Sequence, residues 1–119
     1  MVKMELMPAQ LRMSFPEWTS TETKDPRKIP IIVKYFNPVG SESWYATEFD
    51  GDDRFFGLVK MMDVELGYFS LSELQNLRLP FGLGIERDLF YNCSLYNAMK
   101  YEEYQYIHNI RKESHNETI

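Results

Sequence analysis

Trp44-Tyr45-Ala46-Thr47-Glu48-Phe49-Asp50-Gly51-Asp52-Asp53-Arg54-Phe55-Phe56-Gly57-Leu58-Val59-Lys60 reads as two strands joined by a tight turn. Aromatic and β-branched residues fill both runs, and Asp50-Gly51-Asp52-Asp53 supplies the residue types that reverse a chain. Upstream, Ile31 to Phe36 has the same strand chemistry and is followed by the turn Asn37-Pro38-Val39-Gly40-Ser41. Downstream, the chain reverses around Asp63 into Val64-Glu65-Leu66-Gly67-Tyr68-Phe69. Short strands at near-regular spacing with compact turns predict an antiparallel meander.

Alternation assigns the faces. Val64, Leu66 and Tyr68 share one side, with Glu65 and Gly67 on the other. An unbroken alternation puts Glu48 with Trp44 and Ala46, away from Tyr45 and Phe49. Gly57 and Gly67 are expected at bulges or close backbone approaches. Aromatic residues on both faces require helices to cover the sheet. Ser70-Leu71-Ser72-Glu73 is a capping box; Leu71, Leu74 and Leu77 follow at helical spacing, and Pro80 is the stop. Pro8 to Met13 predicts a short helix ended by Pro16, and the polar Thr19 to Lys28 an exposed loop with no apolar anchor. A second helix is predicted from about Ser94 to Lys112. Leu95, Met99, Ile107 and Ile110 mix there with Tyr96, Tyr101, Tyr104 and Tyr106 nearly all the way round, and Tyr91 lies just before it. The expectation is one α+β domain, a twisted antiparallel sheet of four to five strands covered by helices, with a tyrosine-rich C-terminal helix.

The chain has 119 residues, a length suited to one domain, and its 44% hydrophobic content excludes a disordered chain. Thirteen bases against 18 acids leave a net charge of −5, which argues against direct nucleic-acid binding. That charge is uneven. Residues 42–65 carry seven acids and two bases, a balance equal to that of the whole chain, while residues 1–36 carry six bases and four acids. Solvated hairpin turns account for this, as does an acidic face for a basic partner. The opening Met1-Val2-Lys3-Met4-Glu5-Leu6-Met7-Pro8 lacks the apolar stretch of a signal peptide, and no run has membrane-helix length, so a cytoplasmic protein is expected.

Chemistry-bearing patterns are sparse. A single cysteine, Cys93, forbids an intrachain disulfide or a Cys-x-x-Cys pair, and no base lies near it. His108 and His115 are seven residues apart, about 10 Å along a helix and too far for one metal. Gly82 and Gly84 lack the rest of a phosphate-binding loop. No cofactor is expected. Carboxylates remain: Asp50, Asp52 and Asp53 in the turn, Glu48 and Glu65 on neighbouring strands, and Glu86 and Asp88 on one side of an extended segment with Arg87 on the other. Arg87 could equally clamp a carboxylate elsewhere.

Four ordered blocks carry a likeness: Trp44 to Glu48, Phe55 to Val59, Glu65 to Leu74, and Pro80-Phe81-Gly82-Leu83-Gly84-Ile85-Glu86-Arg87-Asp88-Leu89. Over about residues 8–92 the chain resembles a family of short bacterial proteins catalogued only as a domain of unknown function, carried largely by plasmids, phages and integrative elements. The resemblance implies a small protein of a mobile element or its host, and no established activity. Many members continue the last block with a histidine where this chain has Phe90, so a function using that histidine would be absent here. Residues 93–119 read as a helical extension of the family-like core.

Three functions follow as expectations. The first is a non-enzymatic binding protein that occupies a surface of a host protein, for instance one defending against foreign DNA. Its contacts would be the acidic 42–65 stretch, the Glu86–Asp88 triplet and the tyrosine-rich end, where Tyr101 and Tyr104 would also suit self-association. The second sequesters a nucleotide, stacking it on Trp44, Phe55 or Tyr68 with Arg54, Arg87 or Lys60 at phosphate. The third is a metal-dependent hydrolase built on Glu48, Glu65, Glu86 and Asp88, which needs at least three of these carboxylates to converge in one cleft.

Overall fold

A computed structural model describes residues 4–105. Four strands form the meander: β1 (Val33–Phe36), β2 (Ser43–Phe49), β3 (Arg54–Lys60) and β4 (Val64–Ser70). A two-residue β5 (Glu86–Arg87) returns to pair with β1, and the sheet order is β4-β3-β2-β1-β5 with every pairing antiparallel. The first strand starts two residues later than the β-branched run, because Ile31 and Ile32 direct their N–H groups to Cys93 and Ala46 as the chain enters the sheet.

Each face of the sheet has its own core. One side gathers Val33, Tyr35, Trp44, Ala46, Phe49, Phe55 and Phe69. Over them lie Leu6 and Met7, Leu11 of α1 (Ala9–Arg12), Phe15, and Leu71 and Leu74 of α2 (Leu71–Asn76). Phe55 is its hub, stacked on Phe69 at 4.9 Å and tilted against Phe49 at 4.8 Å. The other side buries Tyr45 and Leu58 under Ile29, Ile31 and a C-terminal helix, α3, whose described part spans 95–105. Leu95, Ala98, Met99 and Glu102 lie at helical spacing on the docked side of α3. The predicted remainder of that helix, with Tyr106, Ile107, His108, Ile110 and His115, falls outside the described residues.

The expected alternation in β2 breaks at Thr47. Ala46 faces Gly57 and Glu48 faces Phe56, so Thr47 is an extra residue with no partner, a β-bulge. After the bulge the phase reverses: Phe49 joins Trp44 and Ala46, and Glu48 turns to the opposite face. The face expected for Glu48 is therefore corrected. Gly57 is required beside the bulge, since a Cβ there would lie 1.8 Å from the Tyr45 carbonyl oxygen. The paired expectation for Gly67 does not hold, because nothing lies within 4 Å of a Cβ at that site.

The capping box is half as expected. Ser70 Oγ accepts from the Glu73 N–H at 3.3 Å, while the second carboxylate at the cap is not that of Glu73 but that of Asp53. Its carboxylate accepts from the Ser70 hydroxyl, the Ser72 N–H and the Ser72 hydroxyl at 2.6–2.8 Å. α2 ends at Asn76, ahead of Pro80, and leaves Leu77 partly exposed.

Candidate functional site

The sheet face under α3 is incompletely covered. Among the described residues the helix seals Tyr45 on β2 and Leu58 on β3 and its cluster reaches Val64 at the start of the edge strand β4, but farther along β4 Leu66 is 44% and Tyr68 60% exposed. Phe56 sits half-buried behind them, its ring 5.2 Å from that of Tyr68. At one end of this shelf Leu58, Val64, Leu66 and Met99 floor a groove of about 530 Å³ rimmed by Asp63, Glu65 and Glu103. At the other end a concavity of about 660 Å³ is lined by Tyr68 and Arg54 together with Asp50, Asp52, Asp53, Ser70, Ser72 and Glu73. Tyr68 divides the two. The Arg54 guanidinium lies 5.5 Å from its ring centre and Trp18 6.1 Å away, which holds the phenol in place while leaving it open to solvent.

Two carboxylates are buried on the α3 side of the sheet: Glu48, expected as a contact or metal-binding residue, and Glu102, for which the sequence predicts no role. Glu48, 2% exposed, does not reach the surface: it accepts from the Thr19 N–H at 2.5 Å, the Thr21 N–H at 2.9 Å and the Thr21 hydroxyl. Thr19 adopts the left-handed backbone region (φ 69°) in the turn that brings these donors together. The loop, which has no apolar anchor, is held by polar contacts instead, and this seats Trp18 beside Tyr68. Glu102, on α3, is also buried and accepts from the Tyr45 hydroxyl at 2.5 Å. Burial, then the bond to Glu102, pushes the Tyr45 phenol far above its ordinary value, so it stays a donor. Lys34 Nζ lies 5.3 Å from the ring centres of both Tyr45 and Tyr91, closing the far side of α3.

The remaining site residues separate. Asp50 Oδ1 accepts from the N–H groups of Asp52, Asp53 and Arg54, the geometry of the β2–β3 turn. Slight desolvation raises its pKa, but the backbone donors outweigh that and hold it below the ordinary range. The serine bonds of Asp53 lower its pKa likewise. Asp52 is exposed in the β2–β3 turn, and Glu65 is exposed at the β4 edge on the side of the strand opposite Leu66 and Tyr68. Glu86 and Asp88 belong to the opposite edge, roughly 19 Å from β4 by four inter-strand spacings, so the four carboxylates of the hydrolase reading do not converge. Among the described residues no group of three or more His, Cys, Asp or Glu is placed to hold a metal. Among the described residues Arg87 clamps no carboxylate; its Nε donates to the Glu5 carbonyl at 3.0 Å, tying the N-terminal segment over β5. Asp88 Oδ1 accepts from the Phe90 N–H. Of the rings proposed to stack a base, Trp44 and Phe55 are buried, leaving Tyr68 with Arg54. Tyr101 and Tyr104 are exposed on α3. Among the described residues no helix is long and apolar enough to cross a membrane.

The shelf was missed because its apolar residues read as ordinary strand alternation, and which of them a helix covers is settled by long-range packing that alternation does not reveal. No curated protein and no solved structure matches the chain. Residues 4–105, which take in α3 as well as the sheet, match the family described as protein of unknown function (DUF2958), and the chain belongs to that family.

Proposed function

We propose that this protein works by binding another protein, with the β3–β4 shelf as its contact surface. The observation that carries the reading is the exposure of Leu66 and Tyr68 next to Phe56. These are contiguous apolar and aromatic side chains on the sheet face whose centre, at Tyr45 and Leu58, is sealed by α3. Exposed apolar patches rimmed by polar groups are the usual form of protein contact sites, and tyrosine is over-represented among the residues that dominate binding energy. Carboxylates at both ends favour a partner with positive charge around an apolar centre. In this reading the partner is a protein of the bacterial host, and the action is occupation of its surface, with interference in defence against foreign DNA as one such use. No catalytic group is assigned.

Affinity capture from host lysate with the wild-type chain and with Leu66→Asp, run side by side, tests the reading. A protein retained by the first and lost from the second, with both chains equally folded by circular dichroism, is the expected result. Retention of the same proteins by both would refute the shelf as the contact. Self-association through α3 is a separate contact favoured by the exposure of Tyr96 and Tyr101. It predicts a concentration-dependent mass in light scattering that Tyr101→Lys abolishes.

A further inference from the structure

We infer that the occupant of the shelf is a cationic, extended segment of a partner protein that adds to β4 as a sixth strand; this rests on the binding reading above and specifies its mode. The two edges of the sheet are treated differently. β5 is two residues long, the Arg87 N–H is directed to Met4 Sδ at 3.0 Å, and its side chain is tied to Glu5. That edge offers little to pair with. β4 is seven residues long, contains no proline, and pairs with β3 through every residue without a bulge. Among the described residues its backbone makes no bond beyond that pairing, so one row of N–H and C=O groups faces outward. Full-length, flat, unblocked edges are what chains joining by strand addition use, and folds that avoid such joining shorten, bulge or cover them.

Side-chain chemistry then selects the segment. An added strand projects alternate side chains onto the shelf, where Leu66, Tyr68 and Met99 offer apolar contact. At the β-turn end it passes Asp63, Glu65 and Glu103, and at the other end Asp52 and Glu73. Few cations compete there. Arg54 lies over Tyr68, Lys60 Nζ donates to the Ser41 carbonyl, and Lys100 forms an exposed 3.5 Å pair with Glu103. The fitting segment carries apolar side chains at alternate positions with Lys or Arg between and around them.

The test is selection of a random ten-residue displayed peptide library on the immobilised full-length chain, followed by synthesis of the recovered peptide. Recovered sequences are expected to alternate apolar residues with Lys or Arg. Affinity should fall at least about tenfold on Leu66→Asp, some 1.4 kcal/mol, and severalfold on Glu65→Lys. N-methylation of one alternating set of peptide nitrogens should abolish binding while the other set is tolerated, because only every second N–H faces β4. Alternate amides of Val64–Ser70 should exchange more slowly when the peptide is bound. Peptides that depend on Leu66 but tolerate both methylated sets would overturn strand addition while leaving the shelf as a binding surface. Neutral or acidic sequences would overturn the cationic assignment. No recovered peptide, or binding indifferent to Leu66→Asp, would overturn the inference and the binding reading together.

Discussion

Thr21 donates both its backbone N–H and its hydroxyl to one oxygen of the buried Glu48 carboxylate, while Thr19 N–H donates to the other. A strand residue thereby fixes a loop 27 positions earlier in the chain, and the loop in turn seats Trp18 against Tyr68. A buried carboxylate is tolerated only when its oxygens are hydrogen-bonded, and here the loop supplies the donors.

Replacing Glu48 with Ala removes the acceptor and leaves buried donors without partners, an expected loss of about 2–4 kcal/mol in urea unfolding. Faster proteolysis within residues 17–25 should accompany it, because the loop loses its anchor. Wild-type stability in Glu48→Ala would show that the anchor contributes nothing.

The two strand glycines should behave oppositely. Gly57→Ala forces a methyl against the Tyr45 carbonyl at the bulge and should cost about 3 kcal/mol or more. Gly67→Ala meets open space on the edge strand and should be neutral or stabilising by about 0.5–1 kcal/mol. Thermal melts of the two variants, read together, check the bulge register directly.

Tyr45→Phe deprives the buried Glu102 of its donor and should destabilise the chain by about 1–3 kcal/mol. Removing both polar groups, as Tyr45→Phe with Glu102→Leu, should cost less than Tyr45→Phe alone, since no polar group is then left buried without a partner. A double variant less stable than Tyr45→Phe would contradict the pairing that docks α3.

Acid should weaken the β2–β3 turn and the start of α2. The folded-state pKa values of Asp50 and Asp53 lie below their unfolded values, so each contributes stability above the ordinary aspartate range, about 3.9. That contribution is lost as pH falls through the folded values. Asp53→Asn should be less stable than wild type at neutral pH, and the gap should narrow as pH drops towards 3 in denaturant titrations.

The meander, its turns and the α+β class were legible from alternation and turn chemistry, because residues such as Asp50-Gly51 and Asn37-Pro38 act locally. The Thr47 bulge was not, since threonine is an ordinary strand residue and the phase change appears only in the pairing with β3. Nor was the role of Thr21, because a polar anchor leaves no hydrophobic signal in the loop that it holds. Asp53 was legible as a turn residue but not as the cap of α2, whose hydroxyls arrive 17 and 19 residues later. β5 is too short for periodicity to reveal. Each failure concerns a contact distant in sequence, and the shelf is of that kind, its exposure depending on where α3 crosses the sheet.

Amide hydrogen exchange across the chain, alone and with the protein captured from host lysate, tests the binding surface most directly. Slowed exchange concentrated in Val64–Ser70 and at Met99 is the predicted result. Unchanged exchange there, with protection confined to the outer side of α3 or to the Leu6–Leu11 face, would contradict it.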